Sequence, residues 1–361
     1  METKTKSKRI FYFDALRALA ILSVILIHTF NTCTNMHTFY TPYPSLSWFL
    51  STLLGNYSRV GVDLFLMLSG ALSLGREWEI QTFLAKRIPR IVYPFIFWGF
   101  VLSVFMVGFS YFHPDAFFTV TQYDLSSFLN YLKYSYLAIN DGFSSYWFFW
   151  LILGTYLIMP VYNKWLLHCD MKEVEYFLVI WLFVTILTSF GIECPITLTY
   201  FTGAIGVVVL GYYLRYSERE IYNNPYFIVM LLVGSFFLLT AATFQYTLPG
   251  VFIRVNRFHI FIIMEVIGIF LLFRNFSSYF PNAHLSKHRI FSKSVSLLAK
   301  YSYGLYLNHR ALILVVYYVV GMTDYVYAAI AVVFVLTTML ATFIMYCFDH
   351  VPYLNRIIGS K

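Results

Sequence analysis

The chain has 361 residues, of which 60% are hydrophobic and only 12% charged, with a formal net charge of +8. A water-soluble domain needs roughly 25% charged residues to cover its surface, so this composition excludes a soluble globule and makes lipid the solvent. No basic patch sits on a soluble module, which excludes nucleic acid as a partner; basic loops facing anionic membrane lipids account for the charge.

Crossing the hydrocarbon takes roughly 20 mostly apolar residues in a helix. Ten segments are predicted to do so, near 10–30, 60–75, 91–112, 146–167, 174–192, 200–216, 225–244, 257–274, 298–320 and 327–349. Ser45 to Leu54 forms a further candidate helix lying against the membrane. Lys4, Lys6, Lys8 and Arg9 ahead of an apolar run imitate a signal peptide. Asp14 and Arg17 interrupt that run and no small-residue cleavage site follows, so a retained first helix is expected. With the first residues inside, nineteen of the 25 Lys and Arg fall in inner segments. That asymmetry predicts cytoplasmic termini in a multi-pass plasma-membrane protein.

The first helix carries Asp14, Arg17 and His28. Eleven steps at about 100° each bring His28 back to the face of Arg17, and Asp14 shares that side. One reading is a buried ion pair with a hydrogen-bonded core histidine. The other is a catalytic stripe, because a neutral imidazole accepts a proton near neutral pH. The second helix opens with Arg59 and Asp63, spaced for an ion pair. Its Ser69-Gly70-Ala71 allows close helix packing, or a narrow cavity wall. Lys86, Arg87 and Arg90 precede the third span at the inner boundary. They serve either as positive-inside anchors or as a clamp for phosphates.

The longest predicted outer loop, 113–145, carries Asp115, Asp124 and Asp141 and is the place for a small cap. Arg254, Asn256, Arg257 and His259 cluster at the outer start of the eighth span, and Glu265 lies inside it. His284 and His288 are spaced i, i+4 in an inner loop, but without a nearby Cys or carboxylate they predict no metal. The four cysteines form no Cys-x-x-Cys pair, and a disulfide between Cys33 and Cys194, both placed in outer loops, is a minor alternative. The ninth span holds Ser302, Tyr303, Tyr306, Asn308, His309 and Arg310 where apolar residues are expected. Ionisable groups within spans normally face a bundle interior or a wet cavity.

In order along the chain, these residues form a pattern. Phe13-Asp14-Ala15-Leu16-Arg17 followed by His28, Gly61-Val62-Asp63-Leu64-Phe65 through Ser69-Gly70, Arg87-x-x-Arg90 with Pro94, Trp147-Phe148 with Tyr156 and Pro160, and Ser302-Tyr303-Gly304-Leu305-Tyr306-Leu307 with His309 all take part. Together they resemble the membrane-bound acyltransferase 3 family over nearly the whole length. Ala71 and Asn308 depart from the family's usual residues at their positions.

The resemblance implies a ten-helix bundle that moves acyl groups, usually acetyl, from cytosolic coenzyme A to sugars or other alcohols at the outer face. It implies His28 as the base, Arg17 as its partner, and Arg87 and Arg90 as coenzyme A contacts.

The expectation is therefore an all-α membrane protein, one transmembrane domain over 1–361. Its activity is O-acyl transfer from acetyl-CoA or another acyl-CoA to a glycan or other hydroxyl-bearing acceptor, with no metal. His28, Arg17, Asp14 and Asp63 are the catalytic candidates, and Lys86, Arg87 and Arg90 the donor-binding ones. Tyr303, Tyr306, His309, Arg254, Arg257 and Glu265 are the substrate-binding candidates, and Arg254 and Arg257, with Asn256 and His259, are assigned to an anionic or sugar acceptor. The alternative is a transporter in which Asp14, Arg17, Glu265 and His309 form a charge pathway. Many transporters have internal repeats; this sequence has none.

Overall fold

The structure, a computed structural model, describes residues 10–37, 46–114, 123–139, 144–192, 203–244, 255–279, 289–320 and 325–360. These residues form twelve α-helices and no strand. They are α1 Phe11–His37, α2 Leu46–Tyr57, α3 Val60–Ser73, α4 Ile80–Phe112, α5 Leu125–Leu137, α6 Trp147–His168, α7 Met171–Ser189, α8 Ala204–Tyr216, α9 Pro225–Phe244, α10 Ile260–Tyr279, α11 Arg289–Val320 and α12 Val326–Asp349.

Each of the ten predicted spans coincides with one helix. The extra two are α2, at the predicted surface segment, and α5, inside the predicted outer loop. Local signals start some of them: Asp124 caps α5 by accepting from the Ser127 amide at 2.8 Å, and Asp170 with Glu173 forms a capping box on α7.

Among the described residues, α1 over Phe11–Thr34 and the whole of α4, α9 and α12 are long and apolar enough to cross a membrane. Large apolar side chains cover their outward faces, with Phe100, Phe237 and Phe343 all exposed. Hydrocarbon solvates such a surface at no cost, and water does not.

The centre is built differently. α3 and α8 are 14 and 13 residues long, or about 20 Å at the helical rise, short of the roughly 30 Å of a hydrocarbon core. Neither reaches across alone; they pack side by side through glycine. A Cβ on Gly70 would fall on the Val208 carbonyl, and one on Gly211 would fall on the Met67 backbone. Gly61 brings α3 equally close to Ala20 and Val24 of α1. The ends of this core are tied by arginine, with Arg215 donating to the Ala71 carbonyl and Arg274 to the Leu214 carbonyl. The main apolar core runs through α1, α3 and α11.

Two sequence expectations change. Cys33 is not in a loop but in α1, as a buried free thiol, and Cys194, its candidate disulfide partner, lies outside the described residues. Arg59 turns to Asn56 Oδ1 at 3.4 Å, and no oxygen of Asp63 accepts a hydrogen bond among the described residues. The predicted i, i+4 ion pair is therefore not formed. Arg254, Asp115, Asp141, His284 and His288 also lie outside the described residues.

Candidate active site

A cavity of about 460 Å³ opens between α1, α3, α4, α6, α11 and the segment that follows α12. Four arginines line it: Arg17, Arg87, Arg90 and Arg356. No carboxylate is among its described lining residues. The rest of the wall is largely apolar or aromatic, including Phe65, Leu68, Phe148 and Ile152. A cavity with positive charge and greasy walls fits an anionic ligand that also carries a long uncharged arm.

The helices explain how each arginine reaches the cavity. Arg17 is held by Asp14, three residues earlier on α1, at 3.3 Å. Asp14 is buried, while the Arg17 side chain keeps 23% exposure, so the carboxylate steers the guanidinium toward the opening. Arg87 and Arg90 are three steps apart and share one face of α4. Arg87 donates to Ser73 Oγ at 2.9 Å and sits 5.7 and 5.9 Å from the ring centres of Phe83 and Tyr156. Lys86, one step round the helix, is exposed and not among the lining residues.

Tyr303 and Tyr306 of α11 also line the cavity. Their hydroxyls are already engaged: Tyr303 donates to the Ile91 carbonyl at 2.7 Å, and Tyr306 to the Ser145 carbonyl at 2.8 Å. Both residues therefore offer the cavity ring surface, while their hydroxyls tie α11 to α4 and to the turn that leads into α6.

From Tyr306 the site continues away from the arginines. The ring of His309 lies 6.2 Å from that of Tyr306, and the ring of His28 lies 5.1 Å from that of His309. His28 itself is about 16 Å along α1 from Arg17, given the helical rise. His309 is fully buried, and its Nδ1 lies 2.6 Å from the Tyr306 carbonyl and 3.2 Å from that of Leu305. Carbonyls only accept, so Nδ1 carries a hydrogen, and in the neutral ring Nε2 is then the lone-pair nitrogen. That Nε2 has no partner among the described residues. His28 is partly buried. Arg310 donates to Thr32 Oγ1 at 3.0 Å, and Thr32 in turn donates to the His28 carbonyl at 2.9 Å, which ties this turn of α1 to α11.

Asp63 is fully buried, and neither of its carboxylate oxygens accepts a hydrogen bond among the described residues. The Arg257 guanidinium stacks 3.5 Å from the centre of the Trp147 ring. Glu265 and His259 are buried on α10 and at its start, outside the cavity. The sequence signals missed Thr32 and Arg356. An ordinary threonine and a lone basic residue after a helix carry no local mark of a site.

Residues 10–347 match a family model described as an acyltransferase domain. No curated protein and no solved structure matches.

Proposed function

The chain belongs to the acyltransferase 3 family, and on that premise we propose that it is an O-acyltransferase taking its acyl group, foremost acetyl, from cytosolic acyl-CoA. The acceptor is a hydroxyl of a sugar or other extracytoplasmic or lipid-linked molecule. The observation that supports this reading is the cavity with four arginines and no carboxylate among its described lining residues, beside which the rings of His309 and then His28 follow on from Tyr306. A donor for this site must carry its phosphates far from its reactive carbon, because Arg17 and His28 stand about 16 Å apart along one helix. Acyl-CoA has that layout: phosphates at one end, a flexible arm, and a thioester at the other.

In the proposed reaction the phosphates lie against Arg87 and Arg90, and the arm runs past the aromatic wall. His28 removes the proton from the acceptor hydroxyl. The oxygen attacks the thioester carbonyl, the new C–O bond forms and the C–S bond breaks. The imidazolium then returns the proton to the leaving thiolate. A transient acyl-histidine reaches the same products in two steps. Asp14 acts as a positioning residue for Arg17. Arg257 belongs to the acceptor side of this scheme, with Trp147 as its stacking platform.

The testing experiment supplies radiolabelled acetyl-CoA to the purified protein in lipid, with and without a glycan extract. Label transferred to the glycan, or slowly hydrolysed without it, supports the reading. No release from any acyl-CoA returns the transporter alternative to the front.

Two substitutions separate the ends of the site. Arg87→Ala is expected to weaken coenzyme A binding by about ten- to a hundredfold, the range for a hydrogen bond to a charged group. Isothermal titration with coenzyme A measures this, and unchanged affinity rules out the phosphate assignment. Arg257→Ala is expected to raise the acceptor KM severalfold while donor affinity stays at the wild-type value. An unchanged acceptor KM removes Arg257 from the site.

A further inference from the structure

Beyond α12 the chain folds back as a hook, and this hook closes one side of the cavity. The end of α12 is fixed first: Asp349 Oδ2 receives Lys300 Nζ at 2.5 Å and the Tyr301 hydroxyl at 3.0 Å. The chain then turns at Tyr353, in the left-handed region with φ +70°. Ile358 is completely buried, and its carbonyl accepts from Trp98 Nε1 at 3.0 Å. Gly359, at φ +84°, lies against Tyr303 and Pro94, and a Cβ on Gly304 would meet the Ile358 carbonyl. A buried anchor, an indole donor and two glycines thus seat the hook between α4 and α11. This is a built wall rather than a loose strand.

The seat brings Asn355, Arg356, Gly359 and Ser360 into the cavity lining. The side chains of Arg356 and Arg90 take no hydrogen bond or ion pair among the described residues. Arg87 spends one nitrogen on Ser73. Three guanidinium groups from two separate elements therefore share one cavity with no counter-ion among its described lining residues. Such an arrangement holds together best around a polyanion, which supplies the missing charge and accepts from several forks at once.

We propose that the hook at 354–360 is a wall of the donor site and that Arg356 binds a phosphate of the donor together with Arg87 and Arg90. This assignment rests on the acyl-CoA reading above and names a residue outside the matched family region, which stops at 347. Arg356 is exposed at the opening, so its removal leaves the buried anchor at Ile358 in place.

The test titrates the full-length protein in lipid nanodiscs with coenzyme A and with pantetheine, which has the arm but no phosphate. Arg356→Ala is expected to weaken coenzyme A binding by about tenfold and to leave pantetheine binding unchanged, and Arg356→Lys is expected to recover part of the loss. Equal losses for both ligands overturn the proposal, because they mean that the substitution has only disturbed the wall. Unchanged coenzyme A affinity in Arg356→Ala, beside a loss in Arg87→Ala, also overturns it while the donor reading stands. If the wild type binds no coenzyme A, both readings fall together.

Discussion

His28→Ala is expected to lower acyl transfer by about 10²–10⁴-fold, the usual contribution of a positioned general base, with donor affinity unchanged. The separation of the two effects follows from the geometry. His28 is not among the residues lining the arginine cavity, and it stands about three helical turns from Arg17. Its neighbours there are His309 and the Arg310–Thr32 bridge, and none of them lines the cavity. Labelled acetyl-CoA turnover and coenzyme A titration on the same preparation read the two quantities independently. A variant that keeps half of its turnover has its base elsewhere. The bare Nε2 of His309 is then the next group to remove, since two backbone carbonyls already fix which nitrogen carries its proton.

The parts of this site that follow helical spacing are legible in the amino-acid sequence. Asp14 with Arg17, and Arg87 with Arg90, are each three residues apart, and helix geometry alone places each pair on one face. The polar run from Ser302 to Arg310 is legible because ionisable groups are costly in lipid and so point inward. What the spacing does not contain is which inward faces meet. His28 and His309 are brought together by the packing of α1 on α11, and nothing local records that contact. Asp63 shows the limit of a local rule: its i, i+4 spacing points to Arg59, yet Arg59 turns to Asn56 and no such ion pair forms. Lys86 shows the converse: it reads with Arg87 and Arg90 as one run of cations, yet it is exposed and not among the described lining residues of the cavity. The hook is invisible for another reason. Its seat depends on Gly304, Gly359 and Trp98, which look unremarkable apart from each other.

Gly70→Val or Gly211→Val is expected to leave little protein that survives extraction into detergent. Ordinary overpacking of a core costs about 1–3 kcal/mol, because side chains shift to absorb the added volume. Here the added Cβ would land on backbone, the Val208 carbonyl in one case and Met67 in the other. Whole helices would have to move apart. α3 has no slack to give, since Gly61 holds its other end against Ala20 and Val24 of α1. The same helix carries Phe65, Leu68, Ser69 and Ser73 to the cavity and holds Asp63 in the core. A displaced α3 therefore loses the cavity wall along with the packing. Gly70→Ala, the milder change, should melt earlier than the wild type and bind coenzyme A more weakly, both at once. Gly154→Ala supplies the contrast, because its Cβ would meet nothing within 4 Å. It should be neutral, or stabilising by up to about 1 kcal/mol from helix propensity alone. Thermal melts followed by tryptophan fluorescence in detergent distinguish the sites. If Gly70→Val and Gly211→Val melt with the wild type, the two short helices do not touch through their glycines, and the central wall of the cavity is not built as described.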